Sequence, residues 1–204
     1  MIHVLIVGDG PRDEAVLPAI VATLLNTATQ YEFRAWRELR ETKKWGSCGY
    51  RRKFGLALLI ARQWKKSGLI AVVDRDTAPK NTRLKELHEV RGSDRERHPH
   101  LSTALGEADP HVEAWLLDDA KAVRSALGLP TTTKIPPSSK FENPKRELDR
   151  LIDESNRKGD ERMGVLADIG KSIMRERCLS RDRTGFQDFI DDICAEFETP
   201  RSNP

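Results

Sequence analysis

The sequence predicts an α/β fold, a mostly parallel, Rossmann-like sheet flanked by helices, with a helical C-terminal region. Two short apolar runs, Ile2 to Val7 and Leu69 to Val73, are rich in β-branched residues, which is typical of strands buried on both faces of a sheet. The first run leads into a glycine turn and an apolar segment, the first half of an α/β unit. After Lys121 the sequence becomes highly charged and helical in pattern.

The length and the charge of the chain limit the number of domains and the kinds of partner. The 204 residues suffice for a buried core and correspond to one domain or little more. We predict an α/β domain over residues 1–120 and a helical region over residues 121–204, packed on it or appended to it. The 35 basic and 32 acidic side chains are interspersed and give a net charge of +3. This balance permits contact with nucleic acid without requiring it.

Cysteine usage and the N-terminal sequence predict the compartment. Cys48, Cys178 and Cys194 have neither metal-ligand spacing nor a paired framework, so we expect reduced thiols. The chain starts with a strand-like run and lacks a basic segment followed by a long apolar one. We therefore expect a cytoplasmic protein without a signal peptide or a membrane-spanning helix.

The first strand leads to two carboxylates. Asp9 follows the predicted strand directly, and Asp13 lies near the start of the helical segment that ends at Leu25. Gly8 and Gly10 allow a tight turn between them. A carboxylate at the position of Asp13 complements the helix dipole, and it could also reach a metal. Pro18 must fall in the first turn of this helix or kink it.

The buried strand at residues 69–73 ends in a second acidic pair. Asp74 and Asp76 point the same way along an extended chain and lie at the carboxyl end of the strand, where ligands bind in open α/β sheets. Two such carboxylates repel each other and can share a hard cation such as Mg²⁺. The alternative is an ordinary polar exit from a strand, where Asp is common.

The central prediction combines these two strand ends. If the strands are neighbours in a parallel sheet, then Asp9, Asp74 and Asp76 converge on one edge. A divalent cation, Mg²⁺ or Mn²⁺, or a basic partner is the natural compensation for carboxylates that meet at one place.

A basic and aromatic segment precedes the second predicted helix. Residues 40–53 contain Lys43, Lys44, Arg51, Arg52 and Lys53, interleaved with Trp45 and Tyr50. Basic charge for phosphates and aromatic faces for bases are typical of single-strand nucleic-acid sites. A solvated loop that caps the helix is the alternative interpretation.

The remaining pattern predicts two more strands and several helices. A strand is predicted over residues 31–36, a short one over 101–106, and helices over 54–64 and 81–90, with a polar loop from 91 to 100. Pro110 can begin a helix that carries Glu113 one turn in, where helix-dipole complementation is the alternative role. Beyond a connection at residues 129–140, helices are predicted over 144–154, 162–178 and 186–197, followed by a frayed tail from residue 199.

These motifs resemble the Toprim fold, which topoisomerases, bacterial primases and OLD-type nucleases share. The resemblance rests on Asp9-Gly10-Pro11-Arg12-Asp13 after the first strand and on Asp74-Arg75-Asp76 after a later one, and it covers roughly the first 120 residues. The segment Pro110 to Leu117, followed by Asn143-Pro144-Lys145, looks like a branch of stand-alone, RloB-like proteins. In that branch the helix with Glu113 and the helix start at Lys145 complete the acidic centre and the phosphate contact.

The resemblance implies a divalent-metal-dependent nuclease acting on DNA or RNA. Asp9, Asp74 and Asp76 would be catalytic. The implied metal ligands are these three with Asp13 and Glu113, and the implied nucleic-acid contacts are Arg51, Arg52, Arg75 and Lys145. It further implies an effector of bacterial defence against phage that works with an AAA- or ABC-type ATPase, and it leaves a homo-oligomer open.

The chain departs from the Toprim pattern at one position. The family has Glu at the first acidic position, where this chain has Asp9, which is shorter by one methylene group. Either the turn brings Asp9 closer, or activity is reduced or absent. Two other functions therefore stay open: a non-catalytic binding or regulatory subunit of an ATPase complex, and a phosphotransferase resembling haloacid dehalogenases with Asp74 as nucleophile.

Overall fold

Four parallel strands form one sheet at the centre of the molecule. The computed structural model describes residues 1–25, 28–39, 49–137 and 143–198. The strands are β1 (Ile2–Gly8), β2 (Thr29–Ala35), β3 (Gly68–Asp74) and β4 (Ser102–Ala108). They are hydrogen-bonded in the order β2-β1-β3-β4, and each neighbouring pair is parallel. The predicted α/β fold with a parallel sheet is confirmed.

Helices connect the strands and make up the described C-terminal region. Between the strands lie α1 (Pro11–Leu25), a 3₁₀ turn (Trp36–Glu38), α2 (Tyr50–Gln63) and α3 (Thr82–Arg95). After β4 the helices are α4 (Glu113–Asp118), α5 (Ala120–Leu127), α6 (Pro144–Asp153), α7 (Arg162–Ser172), α8 (Arg181–Thr184) and α9 (Phe186–Ile193). A 3₁₀ turn (Arg175–Arg177) and a π-helical turn (Cys194–Glu198) complete this region. The predicted helical C-terminal region is also confirmed.

Two helical layers cover the two faces of the sheet. Val4 and Ile6 of β1 belong to a core cluster with α1 and with helices α4 to α7 and α9, whereas Leu5 and Val7 belong to a second cluster with α2 and α3. This follows from the alternation of side chains along a strand. The helices of the C-terminal region thus pack on the α1 side of the sheet, while the division at residue 120 stays a prediction.

The start of α2 differs from the prediction. Arg51, Arg52 and Lys53, expected in a basic loop, lie in the first helical turn. The N–H group of Arg51 donates to Glu86 Oε2 of α3 at 3.1 Å, so a neighbouring carboxylate stabilises this helix start. Most of the predicted loop, residues 40–48, lies outside the described ranges, as does the predicted tail from residue 199.

Helix α3 extends through residues 91–95, which we expected to form a polar loop. Its last turns are held by ion pairs with the end of the chain, Arg91 with Asp192 at 2.5 Å and Arg95 with Glu196. Long-range partners of this kind leave no local signal in the sequence, and they stabilise a helix whose own composition is very polar.

Other boundaries also differ from the prediction. Helix α4 begins at Glu113, and Pro110 lies in the preceding loop instead of at the start of the helix. Pro18 lies inside α1, beyond its first turn. Helix α7 ends at Ser172 rather than continuing to residue 178, and Asp119 accepts a hydrogen bond from the N–H group of Met174 at 2.9 Å in the segment that follows.

Within the described ranges, no helix combines the length and the apolar character that crossing a membrane requires.

Candidate metal centre

The first two acidic residues meet because β1 and β3 are neighbours in the sheet. Asp9 follows β1, Asp74 is the last residue of β3, and the two strands are paired in parallel. Asp9 Oδ2 accepts a hydrogen bond from the N–H group of Asp74 at 2.9 Å. The strand order reverses between β1 and β3, and this reversal places a crevice at the carboxyl ends of the strands. The turn therefore brings the short side chain of Asp9 within reach of β3.

Asp13 joins this pair from the first turn of α1. Its Oδ2 atom accepts a hydrogen bond from the N–H group of Asp9 at 2.7 Å. Gly8 makes this approach possible, because a Cβ atom there would lie only 2.8 Å from the Asp13 side chain. A Cβ atom on Gly10 would meet no atom within 4 Å, so Gly10 has no comparable steric role.

The three carboxylates form one candidate cation site. Asp9, Asp13 and Asp74 each offer an oxygen, and these atoms lie within 4.8 Å of one another. Asp13 and Asp74 are only 4% and 3% exposed. Asp74 Oδ1 is buried and accepts no hydrogen bond from the described residues. A buried carboxylate oxygen without a partner is costly, and a cation would satisfy it.

Burial makes ionisation of this group unfavourable. Burial raises the pKa of Asp74 to about 8 and that of Asp13 to about 7. Repulsion between the neighbouring negative charges contributes to both increases. Burial also raises the pKa of Asp9, although the hydrogen bond from the Asp74 N–H group opposes this. Near neutral pH the cluster therefore holds protons, which a divalent cation would displace on binding.

Glu113 lies beside this group but outside it. The side chain begins α4, is 1% exposed, and accepts a hydrogen bond from Arg12 Nη1 at Oε1 (3.1 Å). Its Oε2 atom has no partner among the described residues. Arg12 also binds Asp149 at 2.8 Å, which ties α1 to α6 across the cluster. Glu113 thus adds a second unsatisfied buried oxygen next to the three aspartates.

Lys145 supplies a positive charge at the cluster. It follows Pro144 at the start of α6, where Asn143 caps the helix by accepting a hydrogen bond from the N–H group of Arg146 at 3.0 Å. Lys145 Nζ lies 3.4 Å from Asp74 Oδ2. Partial burial disfavours its charge, but the carboxylates of Asp74 and Glu113 outweigh this and raise the pKa of Lys145.

A cavity opens onto these side chains. Its volume is about 370 Å³, enough for a phosphate group and part of a nucleotide, and it is lined by Asp9, Gly10, Pro11, Arg12, Asp13, Asp74, Lys145 and Met163. Carboxylates that could hold a cation and a lysine that could bind an anion therefore face the same space.

Asp76 takes part in a second candidate group rather than the first. Asp74, Asp76 and His111 offer ligand atoms within 4.8 Å of one another. The prediction that Asp74 and Asp76 point the same way along an extended chain is wrong, because β3 ends at Asp74 and Asp76 has a left-handed backbone (φ +49°). The Asp76 carboxylate contacts His111 Nε2 at 3.0 Å and Arg83 Nη1 at 2.9 Å. Partial burial opposes ionisation of Asp76, but the hydrogen bonds and charges of Arg83 and His111 prevail and lower its pKa.

The sequence analysis missed His111 of this second group and Arg83, which binds Asp76. His111 stands in the Pro110-to-Leu117 motif, but nothing in its spacing separates it from an ordinary polar residue ahead of a helix. Arg83 Nη1 also donates to the carbonyl oxygen of Asp74, so it fixes both ends of the Asp74-to-Asp76 turn. Arg83 stacks over the Tyr50 ring at 5.3 Å, and burial, followed by the charge of Asp9, raises the pKa of Tyr50 to about 12.

Most of the predicted nucleic-acid contacts lie away from the cavity. Arg75 forms an ion pair with Asp109, and Arg51 forms one with Glu89 of α3. Arg52 is exposed on the first turn of α2. Of the four residues, Lys145 alone is among the described residues that line the cavity.

Comparisons of this chain with models of protein families, with curated proteins and with solved structures find no match. The chemistry of the site is consequently the basis for inferring a function. The acidic clusters can hold a metal ion: three carboxylates suit a hard cation, and the group with an imidazole also suits transition ions.

Proposed function

We propose that the protein is a divalent-metal-dependent nuclease that hydrolyses phosphodiester bonds of DNA or RNA. The observation that carries this proposal is the buried Asp74, whose Oδ1 atom has no partner and whose Oδ2 atom lies 3.4 Å from Lys145 Nζ in a common cavity. A cation beside a fixed ammonium group is suited to bind a substrate phosphate from two sides.

Mg²⁺ or Mn²⁺ is the cofactor we propose for this centre. Asp9, Asp13 and Asp74 would hold it. In the proposal, Glu113, which has an unpartnered Oε2 atom, and Asp76, which shares the second group with Asp74, add oxygens from either side. When bound, such an ion lowers the pKa of water and stabilises negative charge on phosphate oxygens. The all-oxygen donor set and the unsatisfied oxygens of Asp74 and Glu113 fit an ion of this class.

The other side chains bind and orient the substrate. Lys145 remains charged because its pKa is raised, so it can pair with a phosphate oxygen and offset charge that develops during cleavage. Burial raises the pKa of Asp9, so an oxygen of this carboxylate that does not ligate the cation is suited to accept a proton from the attacking water. Arg83 and His111 hold the carboxylate of Asp76 in place.

The biological role that we propose follows from the sequence resemblance. The resemblance of the sequence motifs to those of Toprim proteins, and of the RloB-like branch in particular, favours an effector of bacterial anti-phage defence in the cytoplasm that works with an AAA- or ABC-type ATPase. The cleavage activity belongs to this chain in the proposal, and the partner would control it.

A cleavage assay with matched variants tests the proposal. The purified protein is incubated with duplex DNA, single-stranded DNA and RNA in Mg²⁺, in Mn²⁺ and in a chelator. We expect metal-dependent cleavage that Asp74→Asn abolishes and Lys145→Met reduces strongly, with unchanged circular dichroism. Asp182→Asn, at an exposed carboxylate of α8, is the control and should cleave like the unmodified protein.

Two results would contradict the proposal. Cleavage that survives Asp74→Asn would place the chemistry elsewhere. Metal binding without cleavage of any of these substrates, including after addition of a co-purifying ATPase, would favour the non-catalytic subunit instead.

A further inference from the structure

The two outer edges of the sheet differ in whether side chains bond to their backbone groups. A strand at the edge of a sheet exposes backbone N–H and C=O groups that can pair with another strand. The outer strands here are β4 and β2. Comparing the hydrogen bonds along each outer edge shows where such pairing is blocked and where it is open.

The outer edge of β4 is covered by side chains of α9 and of the π-helical turn that follows it. The N–H group of Leu105 donates to Asp192 Oδ2 at 2.7 Å, and that of Thr103 donates to Glu196 Oε2 at 3.1 Å. Arg91 Nη1 donates to the carbonyl oxygen of Thr103 at 2.9 Å. These side chains take the place of a fifth strand, so no further strand can pair with β4.

The outer edge of β2 has no such cover among the described residues. From Gln30 to Arg34 the backbone groups bond to β1 in the ladder. Among the described residues they have no other hydrogen-bond partner. The side chains are correspondingly accessible, and Tyr31 is 51% exposed. An edge of this length is available to another strand.

The sequence of β2 is complementary to itself in one antiparallel register. Tyr31 and Phe33 share the α1 face of the sheet, and Glu32 and Arg34 share the α2 face, because their β1 neighbours belong to those two core clusters. If two copies of β2 pair about a two-fold axis at Phe33, Glu32 of each copy lies opposite Arg34 of the other. An axis at Glu32 would instead set two glutamates opposite each other, which is unfavourable.

The charged side chains are already held in suitable positions. Lys66 Nζ binds Glu32 at 2.6 Å, and the Arg34 guanidinium stacks on Trp64 at 5.1 Å. Both contacts keep these side chains on the α2 face of the strand, so little conformational entropy remains to be lost when they pair across an interface.

We propose that β2 is a homodimerisation edge that pairs antiparallel with β2 of a second copy in the register centred on Phe33. The two four-stranded sheets then form one continuous sheet of eight strands. Because the pairing is antiparallel, the two candidate metal centres lie at opposite rims of this sheet. Each copy therefore retains a complete site, and the dimer holds two separate substrates.

Charge reversal on the full-length protein tests the interface. Sedimentation velocity should give a dimer of two 23.1 kDa chains for the unmodified protein. Arg34→Glu sets two glutamates opposite Glu32 residues and should raise the dimer dissociation constant about tenfold or more. The double variant Glu32→Arg with Arg34→Glu restores opposite charges and should restore the dimer. Lys85→Glu, an exposed charge reversal on α3, is the control.

Hydrogen exchange identifies the surface independently of the mass. Among residues 30–34, the N–H groups that point away from β1 should exchange slowly in the dimer and at least tenfold faster in Arg34→Glu, while the amides of β4 stay unchanged. A monomer at every concentration tested, a dimer that Arg34→Glu leaves intact, or a charge-swapped variant that stays monomeric would overturn the proposal. None of these results depends on nuclease activity.

Discussion

Two groups of buried carboxylates in this protein differ in how many of their oxygen atoms have hydrogen-bond partners. Asp118 ends α4 and Asp119 caps the start of α5. They are 5% and 0% exposed, and each accepts hydrogen bonds at both oxygens. Asp74 and Glu113 are buried as deeply, and each keeps one oxygen without a partner among the described residues.

The difference separates a structural role from a binding role. Asp119 accepts hydrogen bonds from the N–H groups of Ala122 and Met174 and from the Arg177 guanidinium, which together compensate its burial. The Asp74 carboxylate has one partner among the described residues, Lys145, whose Nζ atom lies 3.4 Å from Oδ2. Burial raises the pKa of Asp74 to about 8. Burial alone is therefore no sign of function. A buried carboxylate that keeps an unpartnered oxygen beside other carboxylates is suited to bind a cation.

The largest expected effect is on stability at the satisfied group. Asp119→Ala leaves the Arg177 charge and two N–H groups without their partner, and we expect it to lower the free energy of unfolding by about 3–5 kcal/mol. Asp74→Asn removes an unfavourable buried charge and should leave the metal-free protein as stable or more stable. Urea denaturation in a chelator measures both. A comparable loss in Asp74→Asn would mean that this carboxylate is also structural.

The stabilisation by bound metal should depend on Asp74 and should not depend on Asp119. At a free Mn²⁺ concentration of one hundred times the dissociation constant, binding to the folded state adds about 2.7 kcal/mol to the free energy of unfolding. Asp74→Asn should lose this increase, because it removes a ligand and its charge. Asp119→Asn, although less stable, should keep it. Equal responses in the two variants would contradict the distinction.

The pH dependence gives a smaller and continuous effect. Burial raises the pKa of Asp13 to about 7 and that of Asp74 to about 8, so between pH 4 and pH 8 the folded state binds more protons than the unfolded state. The stability of the metal-free protein therefore decreases as the pH rises through this range, by up to about 1.4 kcal/mol per pH unit for each group. Asp74→Asn should flatten the curve, as should saturation with Mn²⁺. Urea denaturation measured at a series of pH values would contradict this if stability rose toward pH 8.

The sequence predicted the strands and the meeting of Asp9 with Asp74 because both depend on simple regularities. Apolar β-branched runs form buried strands, and parallel neighbours end at the same edge. The roles of His111 and Arg83 could not be predicted, since they depend on how the loop after β4 and the start of α3 fold back onto Asp76.

The predicted arginine contacts show a second limit of sequence analysis. Arg51 and Arg75 have the charge that a phosphate contact needs, but each forms an ion pair with a carboxylate close to it in space. Glu89 and Asp109 are distant in sequence from their partners, so composition alone could not reveal these pairs. Lys145 differs because the fixed start of α6 holds it beside the cavity.

The central claim is that Asp9, Asp13 and Asp74 share one cation. Anomalous X-ray diffraction from a crystal soaked in Mn²⁺ tests it most directly, with the same soak of Asp74→Asn as the reference. We predict an anomalous peak within about 2.5 Å of an oxygen of each of the three carboxylates, and its loss in the variant. Full-occupancy manganese elsewhere, with no peak at these oxygens, would contradict the account.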